Sequence, residues 1–159
     1  MSLNKELQLD RPLQDIRHEA VLNIIRTASL LAQKGAGRFR QYDLTVAQFN
    51  VLFALKYKGQ RISQADLSKR LVVTRASVTS VLDKLEEKGL VERQNIPDNR
   101  RAYHIELTPE GEELLDHVEP LYRKDIQEVM QGFNDAQCRV LIQALERVRR
   151  QCDNQASED

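Results

Sequence analysis

One device recurs along this chain and constrains its folding more than any other: a capping residue, a partner three positions on, and an apolar pair that closes around both. In Leu44-Thr45-Val46-Ala47-Gln48-Phe49, Thr45 is placed as N-cap, Gln48 reaches back, and Leu44 with Phe49 forms a hydrophobic staple. Ile62-Ser63-Gln64-Ala65-Asp66-Leu67 repeats the arrangement, and Phe133-Asn134-Asp135-Ala136-Gln137-Cys138 does so again. Thr108-Pro109 adds an N-cap followed by proline at the first helical position, where its missing N–H costs nothing. Each device satisfies backbone donors that a helix start leaves orphaned. A chain with four such starts is committed to helices. With 6 Gly and 4 Pro in 159 residues, there is little room for the turn-dense layout of an all-β sandwich.

Between the caps the apolar spacing is helical. Ile16, Ala20, Ile24, Ala28 and Leu31 form one stripe, widened by Val21 and Ile25; Leu114, Val118, Leu121, Ile126 and Val129 form another. The spacing predicts helices over 13–36, 45–57, 63–70, 75–88, 108–131 and 134–151. Pro120 should kink the fifth of these or remove one hydrogen bond from it. The exception is 90–107, where Tyr103, Ile105 and Leu107 alternate with Ala102, His104 and Glu106. Leu90 to Gln94 and Ala102 to Leu107 read as short strands joined by a loop, Asn95 to Arg101. The expected fold is mainly α with one small β-hairpin.

Formal charge is zero, yet it is unevenly placed. Residues 1–37 sum to +1, residues 38–101 carry thirteen basic against seven acidic groups, and residues 102–159 carry six against thirteen. A basic centre in a neutral chain points to a polyanion-facing middle. Other classes lose support. No apolar run approaches the ~20 residues that span a bilayer, and Met1 to Asp10 lacks the apolar core of a signal peptide, so a cytoplasmic protein is expected. Aromatics at 5% with no Trp disfavour an aromatic binding platform. His18, His104 and His117 fall on three different elements, and neither Cys138 nor Cys152 has a partner at zinc spacing. There is no Gly-rich phosphate loop. Neither an enzyme, a metal site nor a cofactor is expected. Cys138, at a staple position, is read as packing, and no redox role is assigned to it or to Cys152.

The segment Ser63 to Gly89 has helix-turn-helix spacing: a short helix, the link Val72-Val73-Thr74, and a second helix that Gly89 would end. On that second helix Val78, Val81, Leu82 and Leu85 share one side. Small hydroxyl residues occupy the other, where they are poor choices for helix stability but let a backbone approach bases and phosphates. Thr74, Arg75, Ser77, Thr79, Ser80 and Lys84 are therefore expected to meet the major groove of double-stranded DNA. Arg100 and Arg101, in the hairpin loop, would act as a wing entering the minor groove; Tyr103 and Ile105 would anchor the hairpin to the core.

With these residues in place the sequence resembles the MarR family of winged-helix transcriptional regulators over roughly residues 13–150. The resemblance is carried by Leu44-Thr45 with Gln48-Phe49, by Ala65-Asp66-Leu67-Ser68, and by Leu85-Glu86-Glu87-Lys88-Gly89-Leu90-Val91-Glu92-Arg93. Asn99-Arg100-Arg101 and Leu107-Thr108-Pro109-Glu110-Gly111 follow in order. It implies a homodimer with a dimerisation helix in 1–37, a winged helix-turn-helix lobe in 38–107, and dimerisation helices in 108–159. It also implies a pseudo-palindromic operator, a repressor, and release by a small phenolic or carboxylate effector. Arg17, His18, Arg40 and Tyr42 are the effector candidates near the inter-lobe crevice, with Phe49 and Phe53 read as core. The chain departs from the family at Asn99, where Asp is frequent, and at Ser80, where a basic residue is common. The competing reading is a winged helix that binds protein and no operator.

Overall fold

The computed structural model describes residues 3–8, 10–11, 13–58, 62–64, 66–67, 75–96 and 99–155, and all their side chains except those of 4, 58, 75–77, 96, 99–102 and 155. The elements are α1 (Leu3–Glu6), α2 (Ile16–Arg40), α3 (Val46–Lys58), β1 (Ile62–Ser63), α4 (Arg75–Glu87), β2 (Val91–Ile96), β3 (Asn99–Leu107), α5 (Pro109–Val129) and α6 (Asp135–Gln155). They divide into two compact units, residues 1–119 and 120–159. The boundary expected at 37/38 falls inside the continuous helix α2. β3 ends at Leu107, beside the other expected edge, while the two units divide within α5.

The helix starts are built by the predicted chemistry. Gln48 N–H donates to Thr45 Oγ1 at 3.1 Å and Thr45 N–H to Gln48 Oε1 at 2.8 Å. Asn134 and Gln137 exchange the same pair of bonds, each 3.0 Å. Ser63 Oγ accepts from the Asp66 N–H at 3.1 Å, and Thr108 Oγ1 from the Gly111 N–H at 3.0 Å. The start of α2 is set by a cap the periodicity did not show, Asp15, whose carboxylate accepts from the Arg17 N–H at 2.9 Å. That shifts the helix start from 13 to 16. Arg38 and Arg40 in the last turn of α2 suit the negative end of its dipole.

In the first unit the core is drawn from every major element: Phe39, Phe49, Leu52, Ile62, Leu67, Val78, Leu82, Leu85, Ile105 and Leu115 are fully buried. Phe39 stacks on Phe49 with centroids 4.1 Å apart. Burying each such aliphatic side chain is worth roughly 1.5–3 kcal/mol. Phe53, expected in the core, lies at its edge and is partly exposed, tilted against Tyr57 at 4.5 Å. An ionic cluster ties α3 to α5. Lys56 Nζ stands 2.7 Å from Asp116 Oδ1 and 2.8 Å from the buried Glu119, to which Tyr57 also donates. Hydrogen bonds from Asp116 first, then Glu119, hold Lys56 above its ordinary range.

The sheet has three antiparallel strands in the order β1-β3-β2. β1 is an unforeseen edge strand: Ile62, read as a staple residue, also pairs with Ile105, and Ser63 pairs with His104. In the second unit α5 continues as helix through Pro120 and α6 follows. No helix among the described residues is long and apolar enough to cross a membrane.

Candidate nucleic-acid interface

Helix α4 turns Val78, Leu82 and Leu85 into the core. At about 100° per residue its opposite side carries Ser80, Asp83 and Glu87, flanked by Thr79 and Glu86 on one edge and by Lys84 on the other. All six are exposed. Thr79 Oγ1 accepts a 2.7 Å hydrogen bond from Gln64 Nε2, which leaves the hydroxyl proton to donate to an outside acceptor. Gln64 escaped sequence reasoning because its role depends on a contact fifteen residues away.

Arg93 was missed too, although strand parity signals it. Val91 and Arg93 share the inward face of β2, and a guanidinium there requires carboxylate partners. It finds two on α4: Nη2 lies 2.5 Å from Asp83 Oδ1, and Nη1 bonds Glu86 Oε2. Burial opposes the charged form, yet the bond to Asp83 and the field of Glu86 outweigh it and hold Arg93 above the ordinary arginine value.

The hairpin differs from expectation. Strand β2 extends to Ile96 and β3 begins at Asn99, so Arg100 and Arg101 lie on a strand and not in an open loop. Backbone pairing outruns the apolar alternation because the ladder satisfies N–H and C=O groups whatever the side chains. The register is regular from Val91↔Leu107 to Asn95↔Tyr103, and the next pair is Ile96↔Asn99. One step on β2 therefore spans four on β3, and Arg100, Arg101 and Ala102 form a bulge. Ile105 is fully buried as an anchor; Tyr103 is partly exposed. Thr74 lies outside the described residues, and for Arg75, Ser77, Arg100 and Arg101 the backbone alone is described.

Beside α4, between the end of α2 and the start of α3, is a crevice of about 920 Å³ lined by Arg40, Leu44, Val46, Lys84 and Lys88 among others. Lys88 crosses to Asp43, with Nζ 2.8 Å from Oδ2 and a further bond to the Asp43 carbonyl. Asp43 takes a left-handed φ of 52° to make that turn. The four effector candidates do not converge within one chain. Arg17 and His18 sit at the start of α2, exposed, and Arg17 is about 35 Å along the helix from Arg40. Tyr42 packs edge-on against His117 at 5.6 Å and does not line the crevice. Of the four, only Arg40 does. Helical spacing alone cannot show this, because it ranks faces and ignores the length of the element. Among the described residues no cluster of His, Cys, Asp and Glu could hold a metal ion.

An outward hydroxyl-bearing helix beside a small hairpin is the layout of a winged helix. Residues 44–103 match the MarR family. The HTH-type transcriptional regulator PecS of Dickeya dadantii is 28% identical over 148 residues, covering 91% of this chain and 89% of PecS. The HTH-type transcriptional repressor YetL of Bacillus subtilis is 33% identical over 108 residues, 67% of this chain and 65% of YetL. The solved structure of Bordetella bronchiseptica BpsR, described with regulation of its DNA binding by 6-hydroxynicotinic acid, superposes with a TM-score of 0.67 at 27% identity. It covers 80% of this chain and 98% of that one. The chain belongs to the MarR family of winged-helix transcriptional regulators. Its relatives are regulators and not enzymes.

Proposed function

We propose that this protein is a cytoplasmic homodimeric repressor that reads a pseudo-palindromic operator. In this reading α4 enters the major groove through Thr74, Arg75, Ser77, Thr79, Ser80 and Lys84, and the bulged strand carries Arg100 and Arg101 to the minor groove. The observation that supports it best is the apolar surface left exposed on the long helices. Ile16 is 71% and Val140 66% exposed, with Val21, Ile25 and Leu31 on α2 and Leu141, Ile142 and Val148 on α6 also open. Apolar stripes of that size mark an interface, and a second copy of the chain is the occupant that would give two-fold symmetric half-sites. Those half-sites should lie about 34–36 Å apart.

An effector fits the crevice by chemistry. Three cations, Arg40, Lys84 and Lys88, and two carboxylates, Asp43 and Glu87, line it around Leu44 and Val46; Asp43 holds Lys88, so Arg40 and Lys84 are the cations that would receive a small aromatic carboxylate. The class agrees with the acid named for BpsR. A ligand there would compete with DNA for Lys84. Arg17, His18 and Tyr42 stay in the proposal only as groups that a partner protomer could bring near.

Selection from random duplexes, repeated with a panel of phenolic acids, tests both parts. Recovery of an inverted repeat, weakened by salt with a log–log slope of about −0.9 per phosphate contacted, supports the operator reading. A chain that stays single and retains no duplex would leave the protein-binding winged helix instead.

A further inference from the structure

We infer that Arg93 serves DNA binding without touching DNA, by masking two carboxylates that the groove-facing helix itself carries. The inference rests on the DNA-binding reading above. Residues 75–88 hold three basic groups, Arg75, Lys84 and Lys88, against three acidic ones, Asp83, Glu86 and Glu87. On its own sequence, then, the helix offered to a polyanion is neutral. Lys88 is further engaged by Asp43. Duplex DNA presents one negative charge per ~1.7 Å of axis, so each open carboxylate on this side opposes docking.

The geometry supplies the remedy. Asp83 and Glu86 are three residues apart and so lie on one edge of α4, where a single guanidinium can fork between them. Arg93 does so from β2, with Nη2 on Asp83 at 2.5 Å and Nη1 on Glu86. The acids remain half-open, with side chains 51% and 41% exposed, while Arg93 is 17% exposed behind them. The carboxylates face outward and their counter-charge sits inward. A Lys at 93 would place one point charge and could not fork between both acids.

The test measures affinity for the tightest duplex recovered by selection. Arg93→Met should lower affinity about tenfold, ~1.4 kcal/mol, at ~0.05 M salt, and the deficit should shrink toward about twofold by ~0.3 M as screening shortens. Adding Asp83→Asn and Glu86→Gln to Arg93→Met should restore affinity to within about threefold of the parent. The pair Asp83→Asn with Glu86→Gln, Arg93 retained, should bind about threefold or more tightly than the parent. Arg93→Met need not fold well for this last variant to decide the matter. If the triple variant stays as weak as Arg93→Met, Arg93 contacts DNA directly and masking is wrong. If the Asn/Gln pair binds more weakly, or the Arg93→Met deficit is constant with salt, Arg93 merely braces helix against strand. A parent protein that retains no duplex overturns the DNA-binding reading itself, and this inference with it.

Discussion

Gly111, at the start of α5, allows a worked prediction. A Cβ built there would lie 2.1 Å from the Leu90 carbonyl oxygen, 3.0 Å from its carbon and 3.3 Å from its Cα. Even a close C–H···O contact keeps about 3.3 Å, so Gly111→Ala must force the first turn of α5 from the turn between α4 and β2 by about 1 Å. The neighbours are backbone, so no rotamer change relieves them. The helix start is stitched to Gly89 and Leu90 in that turn by Thr108 N–H to Leu90 O at 3.2 Å and by Thr108 Oγ1 to Gly89 O at 2.6 Å. Overpacking costs about 1–3 kcal/mol, and weakening two hydrogen bonds costs about 1 kcal/mol each. Alanine's helix propensity returns about 1 kcal/mol. The net is a loss of roughly 2–4 kcal/mol, a fall in Tm of roughly 5–15 °C at this chain length. Urea and thermal unfolding at fixed protein concentration would measure it. Two other glycines act as controls. Gly89, at φ +70° with open space around it, should lose about 1 kcal/mol on change to Ala. Gly37, within α2 and with nothing near its Cβ, should gain up to ~1 kcal/mol. A Gly111→Ala protein as stable as its parent would refute the reasoning.

Lys56→Met should cost about 1–3 kcal/mol, because it removes a cation facing Glu119, which is 5% exposed; Glu119→Gln in the same chain should recover part of the loss, and equal losses in single and double variants would argue against the pairing. Since folding raises the Lys56 pKa, its contribution is fully present below 10.5 and is lost as pH climbs beyond that value, so parent and Lys56→Met unfolding curves should converge in strong alkali and stay parallel through neutral pH. Arg101→Ala should weaken operator binding markedly and flatten its salt slope by about 0.9 if it meets one phosphate, while Ser77→Ala should mainly alter sequence preference; equal small effects would count against the docking. Leu141→Glu, placed on the open face of α6, should yield a protomer in sedimentation runs, and an unchanged dimer would exclude that face. Alkylating Cys138 and Cys152 should leave DNA affinity unchanged, as measured by titration of the modified protein.

Where the fold was legible in the sequence, the forces were local. Thr45 with Gln48, Asn134 with Gln137, and Thr108 before Pro109 each settle a helix start within four residues, and these three are found as read; Ser63 makes the expected bond to the Asp66 N–H, while most of the helix expected over 63–70 lies outside the described residues. The apolar stripes show which side of α4 is buried for the same reason. Local reading also explains the errors. Alternation stops at Ala102 and so gives a loop from Asn95 to Arg101, whereas the ladder skips residues 100–102 and closes at Ile96↔Asn99. Phe53 was placed in the core because its spacing from Phe49 is helical, although it lies at the rim.

The candidate interface divides in the same way. The sequence by itself determined that α4 has a hydroxyl-bearing outer side, because a helix fixes side-chain direction at every step. Only the tertiary structure decided which of those groups stand free. Arg93 lies ten and seven residues from the acids it covers, Gln64 fifteen from Thr79, and Lys88 forty-five from Asp43. Those pairings depend on how β2, the residues after β1, and the end of α2 are laid against α4. No periodicity encodes that placement; it follows from the whole set of buried contacts.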